Sequence, residues 1–131
     1  MNKLAPIDKL LKRARQDKEV LAVFLYGSTA RQEQGKDSDV DICLALVSNH
    51  NLSKKIFLSR KRLDYLKEFS FDIQIFQQLP LYIRHRVLKE AKVLFVRDED
   101  LLYEIAIRTI KSFEDFKHIY YNYLEEVKSA G

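Results

Sequence analysis

The most informative feature of this chain is a pair of acidic residues, Asp39 and Asp41, separated by a single position. They belong to the alternating segment 39–46, and in an extended strand both acids project to one face while Val40 and Ile42 project to the other. Their Cα atoms would lie roughly 7 Å apart, and the carboxylates repel each other unless a cation or a shared proton compensates. Oxygen ligands of this kind suit Mg²⁺, which binds through one or two carboxylates together with substrate phosphates.

A glycine–serine pair, Gly27-Ser28, precedes these acids and is separated from them by residues 29–38. It follows the unbroken apolar run 20–26, which predicts a strand covered on both faces that stops at a tight turn. Glycine lets the backbone approach a bulky anion, and the Ser28 hydroxyl and the following amides can donate to phosphate oxygens. Arg31 is either a further phosphate ligand or a buried brace to a carboxylate. We therefore predict a nucleotide-binding turn that suits a triphosphate.

A third acid, Asp72, opens the later strand-like segment 71–76. The apolar residues of this segment alternate, which leaves Asp72 and Gln74 on the face where a neighbouring strand would carry the first two acids. Asp72 is the candidate general base, because in a two-metal site two carboxylates bridge both ions and a third holds the ion that lowers the pKa of the attacking group. Asp39, Asp41 and Asp72 are thus the predicted catalytic residues and the predicted ligands of two Mg²⁺ ions. The implied reaction is in-line attack on an α-phosphate.

Other polar side chains near these acids receive structural interpretations. Gln74 is interpreted as a strand-surface residue, and Cys43 as a small core residue. The three histidines, His50, His85 and His118, have no ligand spacing, so we interpret them as surface or packed side chains rather than zinc ligands.

The elements that must position the acids alternate between helices and strands. The hydrophobic pattern predicts strands at 20–26, 39–46, 71–77 and 93–96, helices at 6–18, 53–69, 80–91 and 98–128, and a short helix after Ser28. This order predicts an α/β (α+β) domain in which helices flank a mixed β-sheet and a long helix ends the chain. Because the 131 residues contain no repeat and no linker rich in Gly, Ser or Pro, we expect a single domain over residues 1–131.

Composition narrows the class of protein. A single cysteine excludes an internal disulfide, and the longest apolar run, at 20–26, is far too short to span a bilayer. The N-terminus lacks the apolar core of a signal peptide, so we expect a cytoplasmic protein without a membrane partner. The net charge of +4 and pI near 9.1 suit an ATP site, an acidic partner or nucleic acid. We interpret the basic clusters at 54–55, 60–62 and 84–86 as solvated helix faces, because no aromatic platform accompanies them, and nucleic acid is not the expected partner.

The predicted terminal helix, about residues 98–128, carries more apolar surface than one small sheet needs. Its stripe recurs at steps of three and four residues and consists of Ile105, Thr109, Phe113, Phe116, Tyr120, Tyr123 and Val127, widened by Ile119, Tyr121 and Leu124. For residues 101–116, packing on the protein's own sheet and binding to a partner are equally open. For residues 117–128, the abundance of tyrosine favours a partner interface, because tyrosine buries area and keeps a polar tip.

The Gly-Ser turn, the Asp-x-Asp pair, the Asp72 strand and the helix–strand segment 79–96 together resemble the minimal nucleotidyltransferases of the DNA polymerase β superfamily. The resemblance covers residues from about 15 to 98, and its turn-and-acids signature is specific when a strand, a turn and a strand surround it. It implies a polymerase-β-like fold in which Ser28 binds phosphate and the three acids bind two Mg²⁺ ions. Gly27 and Arg31 would complete the nucleotide site.

Free-standing members of this size resemble the antitoxins of toxin–antitoxin modules, whose partner is a helical HEPN ribonuclease toxin. The resemblance implies Mg²⁺-dependent transfer of AMP from ATP to a protein hydroxyl, a tyrosine of the cognate HEPN toxin, within a hetero-oligomer. Two alternatives stay open: transfer of a nucleotide to a small molecule, and an antitoxin or adaptor that acts by binding alone. Relatives that modify small molecules usually bring an additional helical domain or a dimer that builds the acceptor pocket, which disfavours the first. Three converging carboxylates, which no structural role requires, disfavour the second.

Overall fold

The computed structural model describes residues 4–27, 40–47 and 54–130. Its elements in chain order are α1 (Leu4–Gln16), β1 (Val20–Tyr26), β2 (Asp41–Leu46), α2 (Lys54–Glu68), β3 (Asp72–Ile75), α3 (Leu81–Glu90), β4 (Lys92–Val96) and α4 (Glu99–Ala130). The predicted helices and strands in these ranges are confirmed, with ends that agree within two residues. The short helix predicted after Ser28 lies outside the described residues.

The four strands form one mixed sheet in the order β3-β2-β1-β4. β1 runs antiparallel to both of its neighbours, whereas β2 and β3 are parallel. β3 is shorter than predicted, because the chain turns into a single 3-10 turn at Phe76–Gln78. Phe76 is buried there and packs against Phe24 of β1, with ring centroids 6.1 Å apart. The sheet therefore places the first residues of β2 and β3 side by side at one end.

Helices cover the two faces of the sheet with separate apolar cores. On one face, α1 and α2 pack against residues such as Ile42, Leu44 and Ile73. On the other face, α3 and the beginning of α4 pack against residues such as Phe24 and Cys43. Strand alternation puts Asp41 and Asp72 on this second face, so the acids share a face of the sheet with α3 and α4.

A buried ionic cluster ties α1 to α2 behind the sheet. Lys61 lies 3.0 Å from the Asp17 carboxylate and 2.7 Å from that of Glu19, and the Tyr65 hydroxyl donates to Asp17 at 3.0 Å. The interpretation of Lys61 as part of a solvated helix face is therefore wrong. The side chain is buried because it compensates Asp17, a carboxylate that the folding of α1 onto α2 removes from water.

Asp98 caps the N-terminus of α4, because its carboxylate accepts a hydrogen bond of 3.1 Å from the Leu101 amide. Its first half packs on α3, where the His85 and Phe113 rings stack at 4.1 Å. The helix has 32 residues, which makes it roughly 48 Å long. Beyond Phe113 every side chain up to residue 129 is exposed except that of Leu124. In the part of the chain described here, no helix combines the length and the apolar character that crossing a membrane requires.

Candidate functional site

A row of three polar side chains crosses the sheet where β1 ends and where β2 and β3 begin. Tyr26 pairs with Asp41 across the antiparallel strands, and Asp41 pairs with Asp72 across the parallel strands. The Asp72 amide donates to the Val40 carbonyl at 3.1 Å, which fixes the register of β3 at this point. Since paired strands lie about 4.8 Å apart, the two acids are immediate neighbours on one face. The structure thus brings together two of the three predicted acids.

The other predicted site residues fall in the segment for which no structure is described. Ser28, Arg31 and Asp39 lie outside the described residues. Their predicted roles as phosphate ligands and as the third acid therefore stay predictions. Gly27, at the end of β1, is the one predicted nucleotide-binding residue that the structure describes.

Gly27 lies directly against the carboxylate of Asp41. Its φ of +81° is a left-handed conformation that L side chains rarely adopt. A Cβ built at this position would overlap the Asp41 carboxylate, at 3.0 Å from its Cγ and 3.3 Å from its Cβ. Glycine is therefore required here both for the turn and for the position of an acid. The anion that Gly27 approaches in the structure is Asp41, and its predicted role at a bound phosphate stays a prediction.

Asp72 is exposed at the edge of the sheet, and two contacts hold its strand in place. The Gln74 side chain, which points to the same face, donates from Nε2 to Asp72 Oδ1 at 3.1 Å. From the α2 side, Arg62 Nε donates to the Ile73 carbonyl at 2.8 Å. Gln74 is therefore more than the strand-surface residue that we inferred, because it orients a predicted catalytic carboxylate. Its position two residues after Asp72 was the available signal, since residues i and i+2 of a strand share a face.

Tyr26 and Cys43 are less polar neighbours of the two acids on the same face of the sheet. Burial raises the pKa of the Tyr26 phenol, and the neighbouring Cys43, Asp72 and Asp41 raise it further, while Arg62 opposes them. The phenol therefore stays protonated and neutral beside the acids. Burial also raises the pKa of the Cys43 thiol, which keeps it from acting as a thiolate nucleophile. The interpretation of Cys43 as a small core residue is confirmed.

The carboxylates of Asp41 and Asp72 fit a divalent cation of the Mg²⁺ type. Both are hard oxygen donors that start adjacent parallel strands, and one is half-buried while the other is exposed. Within residues 4–27, 40–47 and 54–130, no group of three metal-ligand side chains forms. The third predicted ligand, Asp39, belongs to the segment outside these ranges. Two adjacent carboxylates at an open sheet edge can hold a cation that a phosphorylated substrate shares.

The chain resembles known proteins both in sequence and in fold. A profile of the family described as Polymerase beta, Nucleotidyltransferase matches residues 8–100. A protein of Methanocaldococcus jannaschii, named provisionally as a protein adenylyltransferase, is 38% identical over 79 residues, which cover 59% of this chain and 57% of that protein. The chain thus spans little more than half the length of this curated relative.

Several solved structures share the fold. A chain from a toxin–antitoxin crystal structure with AMP-PNP has a TM-score of 0.66 and 18% identity, with 96% of this chain and 98% of that chain covered. A chain from the tri-AMPylated Shewanella oneidensis HEPN toxin in complex with MNT antitoxin has a TM-score of 0.63 and 15% identity, with 96% and 98% covered. A chain from the MntA-HepT toxin–antitoxin has a TM-score of 0.63 and 14% identity, with 95% and 98% covered. At these identities the likeness shows the fold, and the predicted polymerase-β-like fold is confirmed.

Proposed function

The chain belongs to the polymerase beta nucleotidyltransferase family, and we propose that it transfers AMP from ATP to a hydroxyl group of a partner protein in the presence of Mg²⁺. The observation that carries this proposal is the pairing of Asp41 with Asp72 at the sheet edge, next to a glycine turn that admits no side chain. Two adjacent carboxylates are hard oxygen ligands of the kind that Mg²⁺ shares with a phosphorylated substrate, which supports a metal-dependent reaction at this place.

Each residue of the site has a defined part in this reaction. Asp39, Asp41 and Asp72 would hold two Mg²⁺ ions, which when bound lower the pKa of the attacking hydroxyl and neutralise phosphate charge. Gly27, Ser28 and Arg31 would bind the phosphates of ATP. The acceptor oxygen attacks the α-phosphorus, the bond to the β-phosphate oxygen breaks, and pyrophosphate leaves. Asp72 takes the hydroxyl proton.

The exposure of the site is compatible with a protein as the acceptor of the AMP group. Asp72, the proposed base, is exposed on the edge strand β3, so a side chain that projects from another protein can reach it. The fold is shared with a chain from the tri-AMPylated HEPN toxin–MNT antitoxin complex, which supports a HEPN-type toxin as the partner of this chain. We infer that the acceptor is a tyrosine of that toxin and that its modification makes this protein an antitoxin. ATP consumption and one reduced cysteine suit the cytoplasm as the place of this reaction.

The second half of α4 is the surface that we assign to the toxin. The apolar stripe that packs on α3 near Phe113 continues without support as Phe116, Tyr120, Tyr123 and Val127, which are 54%, 50%, 60% and 51% exposed. Most helical stability in proteins comes from packing of an apolar face, and a run of exposed aromatic side chains is typical of a protein interface. A helical toxin would continue the packing that α3 begins.

Two sets of variants test the proposal in cells that express a HEPN-type partner. Asp41→Asn combined with Asp72→Asn should abolish neutralisation of the toxin and leave the complex intact. Tyr120→Ser combined with Tyr123→Ser should abolish the complex, whereas Lys117→Gln on the same helix should not. Neutralisation that survives the loss of both acids would instead favour an antitoxin that acts by binding alone.

A further inference from the structure

A cavity lies at the far end of strand β2 from the acids. It has a volume of about 480 Å³ and is bounded by the end of β2, the 3-10 turn, α2, α3 and α4. Asp41 starts β2, and Leu46, at its other end, lines the cavity, so the two places are roughly 17 Å apart along the strand. A ligand in this cavity would therefore occupy a site separate from the proposed catalytic one.

Three cationic side chains from three different helices line this cavity: Lys55 of α2, Arg84 of α3 and Arg108 of α4. Arg84 donates from Nε to the Leu79 carbonyl at 3.1 Å, which fixes its guanidinium and leaves its terminal nitrogens available. Within the described residues, Lys55 and Arg108 make no hydrogen bond or ion pair, and no acidic side chain lines the cavity. A concave surface lined by charges of one sign concentrates its electrostatic potential on a ligand of the opposite sign.

The remaining wall is apolar, and its other polar groups are already satisfied. Phe57 and Leu58, both half-buried, provide apolar surface beside the cations. The Gln77 side chain bonds both the amide and the carbonyl of Leu46, at 3.1 and 2.7 Å. The Thr109 hydroxyl likewise donates to a carbonyl within its own helix at 2.8 Å. The cations are therefore the groups left to recognise a ligand, and the apolar wall favours a ligand that is more than a bare ion.

We propose that this cavity binds a small organic anion, with a phosphate or carboxylate group held by Lys55, Arg84 and Arg108 and an aromatic or aliphatic body on Phe57 and Leu58. The volume is within the range of about 300–1,000 Å³ that is typical of small-molecule sites. Arginine forks match the oxygen geometry of both acidic groups. This inference is independent of the proposed transferase activity, since it uses none of the three acids.

Amide chemical shifts of the ¹⁵N-labelled protein test the proposal in metal-free buffer with EDTA. The probes are phenyl phosphate, phenylacetate and inorganic phosphate. We expect phenyl phosphate and phenylacetate to shift the amides of Gln77 and Thr109 saturably. Burial of the ring should make phenyl phosphate bind about tenfold more tightly than inorganic phosphate. Equal affinity of phenyl phosphate and inorganic phosphate would show that the ring is not buried, and would overturn the proposal of an organic anion.

Variants separate this site from general attraction to a basic surface. Arg108→Gln should weaken phenyl phosphate about tenfold, because a charge-assisted hydrogen bond is lost. Lys111→Gln, a change on the same helix outside the cavity, should leave the affinity unchanged, and an unperturbed amide spectrum of each variant checks the fold. Lys55→Gln provides a second test if Arg108→Gln disturbs α4. Unchanged affinity in both cavity variants, or shifts produced by an acidic peptide but by none of the small anions, would overturn the proposal.

Discussion

Replacement of Gly27 by alanine should separate the catalytic role of the turn from its role in stability. In the structure Gly27 has φ +81°, a conformation that costs an L residue about 1–2 kcal/mol. The added Cβ would also lie 3.0 Å from Asp41 Cγ, well inside the ~3.5–4.0 Å of a favourable carbon–carbon contact. The Asp41 carboxylate must therefore move by a distance on the order of 1 Å.

Such a displacement sets the expected loss of activity. A misplacement of about 1 Å in a catalytic constellation can lower the rate about 100-fold. We therefore expect Gly27→Ala to reduce AMP transfer about 100-fold, while the free energy of unfolding falls by only about 1–2 kcal/mol. Single-turnover transfer to the partner at saturating ATP, well below the unfolding midpoint, measures the first quantity. Urea unfolding measures the second.

Leu11→Ala is the matched control for this experiment. Leu11 is partly buried on the sheet face opposite to the acids, and its truncation should cost about as much stability as the glycine change. Transfer by this control should remain near that of the unaltered protein. Nearly full transfer by Gly27→Ala would refute the role of Gly27 in positioning Asp41. A loss of activity in Leu11→Ala as large as that in Gly27→Ala would refute it as well.

Three further outcomes are expected. Gln74→Leu removes the side chain that donates to Asp72, so the kcat of AMP transfer should fall about tenfold while the urea unfolding midpoint stays unchanged. An unaltered kcat would contradict the orientation of Asp72 by Gln74. Lys61→Met leaves the buried Asp17 with Arg13, at 3.4 Å, as its remaining cation among the described residues, and urea unfolding should show a loss of about 2 kcal/mol. A loss typical of an exposed pair would contradict burial of the charge. Burial raises the pKa of Asp17, but hydrogen bonds from Lys61 and from a backbone N–H hold it below its ordinary value. The stabilisation by ionised Asp17 is present above the pKa that this carboxyl has in the unfolded chain, and it is lost as pH falls through its pKa in the folded protein. Asp17→Asn should therefore flatten the dependence of stability on pH below about pH 4. A pH–stability profile parallel to that of the unaltered protein would argue against this contribution.

The sequence was sufficient to predict the elements because their apolar patterns are strong and local. The unbroken run 20–26 gave the exact bounds of β1, and alternation in 71–76 put Phe71, Ile73 and Ile75 in the core and Asp72 outside it. β3 ended two residues early because Phe76 packs against Phe24 through a 3-10 turn, a tertiary contact that alternation does not encode.

The sequence was sufficient to predict which strand faces carry Asp41 and Asp72, but not all of the contacts of these acids. The pairing of Asp41 with Asp72 followed from matching strand faces, whereas the approach of Gly27 to Asp41 depends on a register that a single sequence does not specify. Lys61 was misread because a basic triplet on a helix gives no sign of a buried partner, Asp17, 44 residues earlier in the chain. Long-range pairing of charges is what local patterns omit.

The most direct test of the account is the intact mass of a co-expressed HEPN-type partner after incubation with this protein, Mg²⁺ and isotopically labelled ATP. We expect the partner to gain one or more AMP units, and to gain none with the Asp41→Asn, Asp72→Asn variant, which should still form the complex. A stable complex without any mass change in the unaltered protein, or equal AMP addition by the variant, would contradict transfer at this site.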